Sequence, residues 1–148
     1  MIDLKIANQI EEIKKIAIFA QLKSEELLNI LKNAKISKLK KDEILFSQEQ
    51  KVDNFYIILK GMIKLSRLNY KGSEAIIKIV DCGSLNDIFS DNFSLSATAL
   101  KNSEIITIPI EIFKNFAKKD YNLMHNILAE ISTQNDDLIN QLSNLKII

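Results

Sequence analysis

The segment ILFSQEQKVDNFYIILKGMIKL, residues 44–65, decides the fold. Its centre sets Phe55, Ile57 and Leu59 against Tyr56, Ile58 and Lys60, the two-residue period of a strand with one face on a core. Gly61 closes that strand, and the three glycines of the chain, Gly61, Gly72 and Gly83, recur at intervals of eleven. The runs between them, MIKLSRLNYK and SEAIIKIVDC, are rich in Ile, Leu and Val. Short apolar runs between evenly spaced turn residues predict successive antiparallel strands of a sandwich or barrel. Lys71-Gly72 reads as a tight turn with glycine at the positive-φ position. Ala75, Ile77 and Ile79 are expected on one strand face, and SEIITIP at 103–109 supplies a further strand.

Working outward, helices flank the block. Ile6, Ile10, Ile13 and Ala17 form one apolar stripe at helical spacing. Ser24 is placed to cap EELLNILKN, with Leu27, Leu28 and Leu31 pointing inward. Pro109, the only proline, opens IEIFKNFAKK where its missing N–H costs nothing. From Met124 onward, Met124, Leu128, Ile131, Asn135, Leu138, Leu142 and Leu145 alternate spacings of four and three. That is a heptad seam. With Leu128 at position a, Asn135 also falls at a, where a buried Asn fixes register and two-strandedness at some cost in stability. The seam predicts a homodimer through the C-terminal helix; the competing reading is an amphipathic helix packed on its own domain. Ile127 and Ile139 widen the stripe and would let both hold in part.

Composition narrows the function. At 148 residues and 47% hydrophobic the chain has the length and core of one domain. A net charge of +1 lacks the broad basic footprint of a nucleic-acid binder. No apolar run reaches bilayer length and the N-terminus is not a signal peptide, so the expected location is cytoplasmic, with no membrane contact. Cys82 and His125 are each the only residue of their type. A single chain therefore offers neither a cysteine-based metal site nor an obvious catalytic relay, and an enzyme is not expected. No glycine-rich phosphate loop is present.

The words ILFSQEQKVDNFYIILKGMIKL, KGSEAIIKIVDCGS and SEIITIPIEIFKNF, in that order, resemble the cyclic-nucleotide-binding fold of the Crp/Fnr transcription regulators. The resemblance runs from about Ile18 to the chain end. It implies an α+β fold: a cyclic-nucleotide-binding-like, jelly-roll (cupin-like) β-roll with N-terminal helices at 1–119, and a long dimerisation helix at 120–148. It also implies the role of an effector-sensing and dimerisation domain. DNA would be met only by a winged helix-turn-helix that this sequence, ending at Ile148, does not contain, as in a chain cut from a longer protein or naturally truncated.

In cyclic-nucleotide-binding members of that family, the segment after the turn glycine cradles the phosphate with a Gly-Glu pair and an Arg followed by Ser or Thr and Ala. Gly83 matches the turn glycine, and Ala99 to Ile105 match the following strand. Between them the segment is about four residues short, carries no Gly-Glu, and places Phe93-Ser94-Leu95 nearest the Arg-Ser-Ala position. Residues 79–100 contain no Lys, Arg or His at all. A phosphodiester in a partly buried pocket needs a paired cation, for which Arg supplies a bidentate fork. The resemblance without that Arg implies that cAMP and cGMP are not the effector. Gly83, Ser84, Leu85, Asn86, Asp87, Phe89, Phe93, Ser94, Ser96 and Thr98 remain as candidates to line a pocket for something neutral or apolar, or to form a vestigial loop. The effector is unidentified, and a stand-alone cyclic-nucleotide-binding-like domain is a further alternative. The resemblance also implies that some relatives with degenerate cassettes sense gases or redox state through an iron–sulfur cluster, for which one cysteine is too few, or through haem, which would look to His125, Cys82 or a methionine. Against that, His125 at heptad position e reads as a residue flanking the seam, Cys82 as a small semi-buried residue, and Phe89 and Phe93 as core-filling aromatics.

Overall fold

The computed structural model describes residues 2–145, with side chains through Asn144. The chain begins with two single-turn helices, α1 (Leu4–Ala7) and α2 (Ile10–Lys14), a 3-10 turn at Ala17–Phe19, and α3 (Ser24–Leu31). Eight strands follow: β1 (Lys35–Leu39), β2 (Ile44–Phe46), β3 (Asn54–Lys60), β4 (Ile63–Leu68), β5 (Glu74–Val80), β6 (Gly83–Ser84), β7 (Ser96–Ala99) and β8 (Ser103–Pro109). They form two antiparallel four-stranded sheets, ordered β1-β8-β3-β6 and β2-β7-β4-β5. Two helices complete the chain, α4 (Ile110–Lys119) and α5 (Tyr121–Leu145). The result is the expected β-roll with flanking helices.

The central strands are the most buried. In β3, Phe55, Ile57 and Ile58 are all inside, because the strand bulges between Ile58 and Lys60 against β8 and strict alternation stops there. Phe55 stacks on Phe113 of α4 with ring centroids 4.3 Å apart, tying the sheet to the helix behind it. Gly61 closes the strand at φ +116, and a side chain there would overlap Ser103. The β4–β5 hairpin turns through Asn69 to Ser73, with Gly72 at φ +82 and its N–H donating to the Asn69 carbonyl at 3.0 Å.

Several local expectations are corrected. The N-terminal stripe is not one helix: the chain turns at Asn8 and Gln9 and becomes extended at Ile16, so Ala17 is exposed while Ile16, Ile18 and Phe19 turn inward. Ser24 is the first helical residue of α3 and not its cap; Lys23 occupies the cap position without a side-chain bond. Leu27, Ile30 and Leu31 form the inward face, which rotates Leu28 out to 38% exposure. The strand face expected to carry Ala75, Ile77 and Ile79 is exposed, and a register shift interrupts it. β5 is an edge strand paired only with β4, with a register shift opposite Leu65 and Ser66, and only its last residue, Val80, is buried. Pro109 occupies the cap position of α4.

The start of α5 is held firmly. Asp120 caps it, its Oδ1 accepting from the Leu123 N–H at 2.9 Å. Asn126 Nδ2 donates to the carbonyls of Ile18 and Ala20 at 3.0 and 2.7 Å, fastening the helix to the N-terminal 3-10 turn. Leu123 and Ile127 are buried in the same core as the roll, with Met124 and Ile131 packed against it.

Candidate functional site

A cavity of about 540 Å³ opens between the roll and α5. That size suits a small-molecule site. Leu65, Val80, Leu85, Leu95, Ile127 and Ile131 provide most of its wall, with Phe55 and Ile18 behind them. Its polar groups come from three elements: Lys78 on β5, Ser84 on β6, and Glu130, Gln134 and Asp137 on α5. Asn86, Asp87 and Ser94 border it from the loop between β6 and β7.

The electrostatics run against an anion. Among the described residues, Lys78 is the only cationic side chain on the wall, and it is exposed. Burial holds the Glu130 carboxyl above its ordinary range, and the nearby Ser84 hydroxyl and Lys78 ammonium only partly offset this. Ser84 Oγ is itself buried and makes no hydrogen bond of good geometry. In the loop, Asp87 Oδ1 accepts from the N–H groups of Phe89 and Ser90 at 2.7 and 2.8 Å. Its Oδ2 takes the Ser90 hydroxyl at 3.2 Å. Those donors are thus already committed to an internal carboxylate. The Phe93 N–H is committed too, to the Gln50 carbonyl at 2.9 Å.

Of the residues proposed from the sequence, Ser84, Leu85, Asn86, Asp87 and Ser94 line the cavity. Asn86 is also a clamp: its Oδ1 accepts from the Tyr56 N–H at 2.9 Å and its Nδ2 donates to the Asn54 carbonyl at 3.0 Å, pinning the loop to β3. The other five do not line it. Gly83 pairs with Ile58 in β6, Ser96 Oγ accepts from the Gln48 N–H at 2.8 Å, and Thr98 pairs with Ile44 and Lys64 inside its sheet. Phe93 is buried and stacks on Phe46 at 3.9 Å, so the aromatic ring nearest the expected Arg position fills core instead of reaching a ligand. Phe89, expected as core, is 55% exposed.

The seam residues divide. Met124 and Ile131 are half-buried against the roll, while Leu128, Asn135, Leu138 and Leu142 are exposed; the Leu145 side chain lies outside the described residues. Ile131 and Leu138 both line the cavity, so one edge of the heptad stripe faces the roll. Ile139 is exposed and does not touch the β block as expected, whereas Ile127 does. Lys78, Glu130 and Gln134 were missed, because a polar residue on a helix or an edge strand carries no local sign of which surface it meets.

Neither haem candidate fits the cavity. His125 is exposed and stacks on Tyr121 at 5.9 Å, and Cys82 is exposed rather than semi-buried. Among the described residues, no His, Cys, Met or Tyr lines the cavity. Among the described residues no helix is long and apolar enough to cross a membrane.

Comparison with known proteins agrees with the resemblance read from the sequence. Residues 36–120 match the cyclic nucleotide-binding domain. A transcriptional regulator from Thermotoga maritima is 25% identical, with a TM-score of 0.70 over 81% of this chain and 97% of that one. The sensor domain of the transcriptional regulator DNR from Pseudomonas aeruginosa is 21% identical, with a TM-score of 0.77 over 90% and 92%. The Thermus thermophilus catabolite activator protein is 20% identical, with a TM-score of 0.76; the match covers 87% of this chain and only 62% of that protein. A search of curated protein sequences finds no match.

Proposed function

The chain belongs to the cyclic nucleotide-binding domain family, and on that premise we propose that it is the effector-sensing and dimerisation part of a Crp/Fnr-type transcription regulator whose effector is not a cyclic nucleotide. The observation that carries this reading is the cavity roofed by α5. Its occupant would touch Ile127, Glu130 and Ile131 on the helix that also exposes Leu128, Asn135 and Leu142 on another face. Binding on one face would then bias how two such helices cross on the other, provided the effector has different affinity for the two arrangements. In this reading 1–119 senses, 120–148 dimerises, and DNA is contacted by a separate helix-turn-helix domain in the cytoplasm. The role is regulatory and not catalytic.

Exclusion of cyclic nucleotides follows from charge. Leaving a phosphodiester unpaired costs several kcal/mol. Micromolar affinity amounts to only about 8 kcal/mol in total. Here Phe93 is committed to the core, Asp87 already holds the loop amides, and one exposed lysine contributes at most about 1 kcal/mol.

Two measurements test the proposal together. Sedimentation at micromolar concentration should show a dimer, and titration with cAMP or cGMP to millimolar levels should release no heat and leave the melting temperature unchanged. A chain that stays monomeric at high concentration removes the dimerisation role. Saturable cAMP binding removes the effector assignment.

A further inference from the structure

We propose that the cavity takes an uncharged amphiphilic small molecule whose apolar body lies along Leu65, Val80, Leu85 and Ile131 and whose one polar head is hydrogen-bonded by Ser84 and Glu130. This rests on the preceding identification of the cavity as the effector site and adds the chemistry of what enters it.

The walls favour an apolar body. Leu65, Val80 and Leu85 are buried on the roll side, and Ile127 and Ile131 come from the helix side. Any net charge on the occupant would be stripped of water against them, at a cost of several kcal/mol. For an anion the penalty is larger. Asp87 and Asp137 border the space with Glu130, and Lys78, the cation there, is solvated. A cation fares better than an anion but still loses its hydration. Asp87 is committed to Phe89 and Ser90. Burial disfavours the charged form of Glu130, and its carboxyl oxygens accept a hydrogen bond in either state.

The polar end is selective because it is unfinished. Ser84 Oγ is buried and makes no hydrogen bond of good geometry, with the Glu130 carboxyl near it. It stands close enough to Glu130 to influence that carboxyl. A hydroxyl or amide head offers both a donor and an acceptor, so it can satisfy Ser84 and Glu130 at once. Since β6 carries Ser84 and α5 carries Glu130, such a head joins the roll to the helix.

A matched series sharing one alkyl chain tests the head-group assignment: octanamide, octylamine and octanoate, titrated by calorimetry at neutral pH. Octanamide should bind at least about tenfold more tightly than octanoate, a difference of about 1.4 kcal/mol, with octylamine between them. Replacing both polar groups, Ser84→Ala with Glu130→Leu, should weaken octanamide binding at least about tenfold, about 1.4 kcal/mol, and the thermal unfolding midpoint of the variant shows that it folds. If octanoate binds as well as octanamide, or the double variant binds octanamide as tightly as the parent, the chemistry assigned to Ser84 and Glu130 is wrong while the cavity stands as a site. If none of the three binds, the cavity is not a small-molecule site, and the reading it rests on fails too.

Discussion

The two halves of α5 carry one continuous heptad pattern and meet different surroundings. In the first half Leu123 and Ile127 are buried in the roll's core and Asn126 is tied to two carbonyls of the N-terminal turn. From Ser132 to Asn144 every side chain is exposed in the single chain, Leu138, Ile139 and Leu142 included. Periodicity reports that a helix has an apolar stripe, but the partner of that stripe is decided by what stands within reach. The roll reaches as far as Ile131 and the cavity as far as Gln141; the remaining stripe would meet a second copy in the dimer proposed above.

Substitutions can break this contrast. The largest effect is expected from Leu123→Ala: a buried leucine lost from the core costs about 2–5 kcal/mol. Urea unfolding should show that loss to the same extent at every protein concentration, because the contact is internal. Next comes Asn126→Ala, which leaves two carbonyls of the 3-10 turn short of a donor and should cost about 1–3 kcal/mol. Hydrogen exchange should localise its effect to the first turns of α5 and residues 17–20. In the distal half, Asn135→Leu should leave the unfolding of a dilute monomer within about 0.5 kcal/mol of the parent. Sedimentation should then show tighter and less specific association, as expected when a polar a position is made apolar. An unchanged oligomer would place Asn135 outside the seam.

The smallest effect belongs to Glu130→Gln, at the junction of the two halves. Burial raises the folded-state pKa of Glu130 above 4.5, so the folded protein holds this proton more tightly than the unfolded chain. The ionised carboxylate therefore opposes folding above its raised pKa, and the penalty disappears once both states are protonated. Glu130→Gln should raise the melting temperature slightly at neutral pH. That gain should shrink as the pH falls through the raised range and vanish below 4.5. Lys78, Ser84, Asp87 and Asp137 are the charged or titration-relevant groups around the same cavity, so a gain that persists at acid pH would assign the effect to packing and not to charge.

The elements of the roll were legible because strands announce themselves through spacing and turn chemistry. NFYIILK, the glycine at each turn and Pro109 before α4 are all where the sequence places them. Half of the loop candidates for the cavity were legible too, since a segment without cations between two strands is a local property. Alternation failed where tertiary structure overrides it: at the β3 bulge, where two adjacent isoleucines are buried, and along β5, whose exposed isoleucines lie on a sheet edge that no neighbouring strand covers.

By itself the sequence determined the β-roll, the family resemblance and the absence of any Lys, Arg or His from residues 79–100, because each is written in residue type and short-range order. Only the tertiary structure decided that Phe93 stacks on Phe46, that Asp87 occupies the loop amides, and that Lys78, Ser84 and Glu130 meet at one cavity. Lys78, Ser84 and Glu130 lie on two strands and a helix, as many as 52 positions apart. Their meeting depends on how the sheets curl and where α5 crosses them, and no local pattern encodes that.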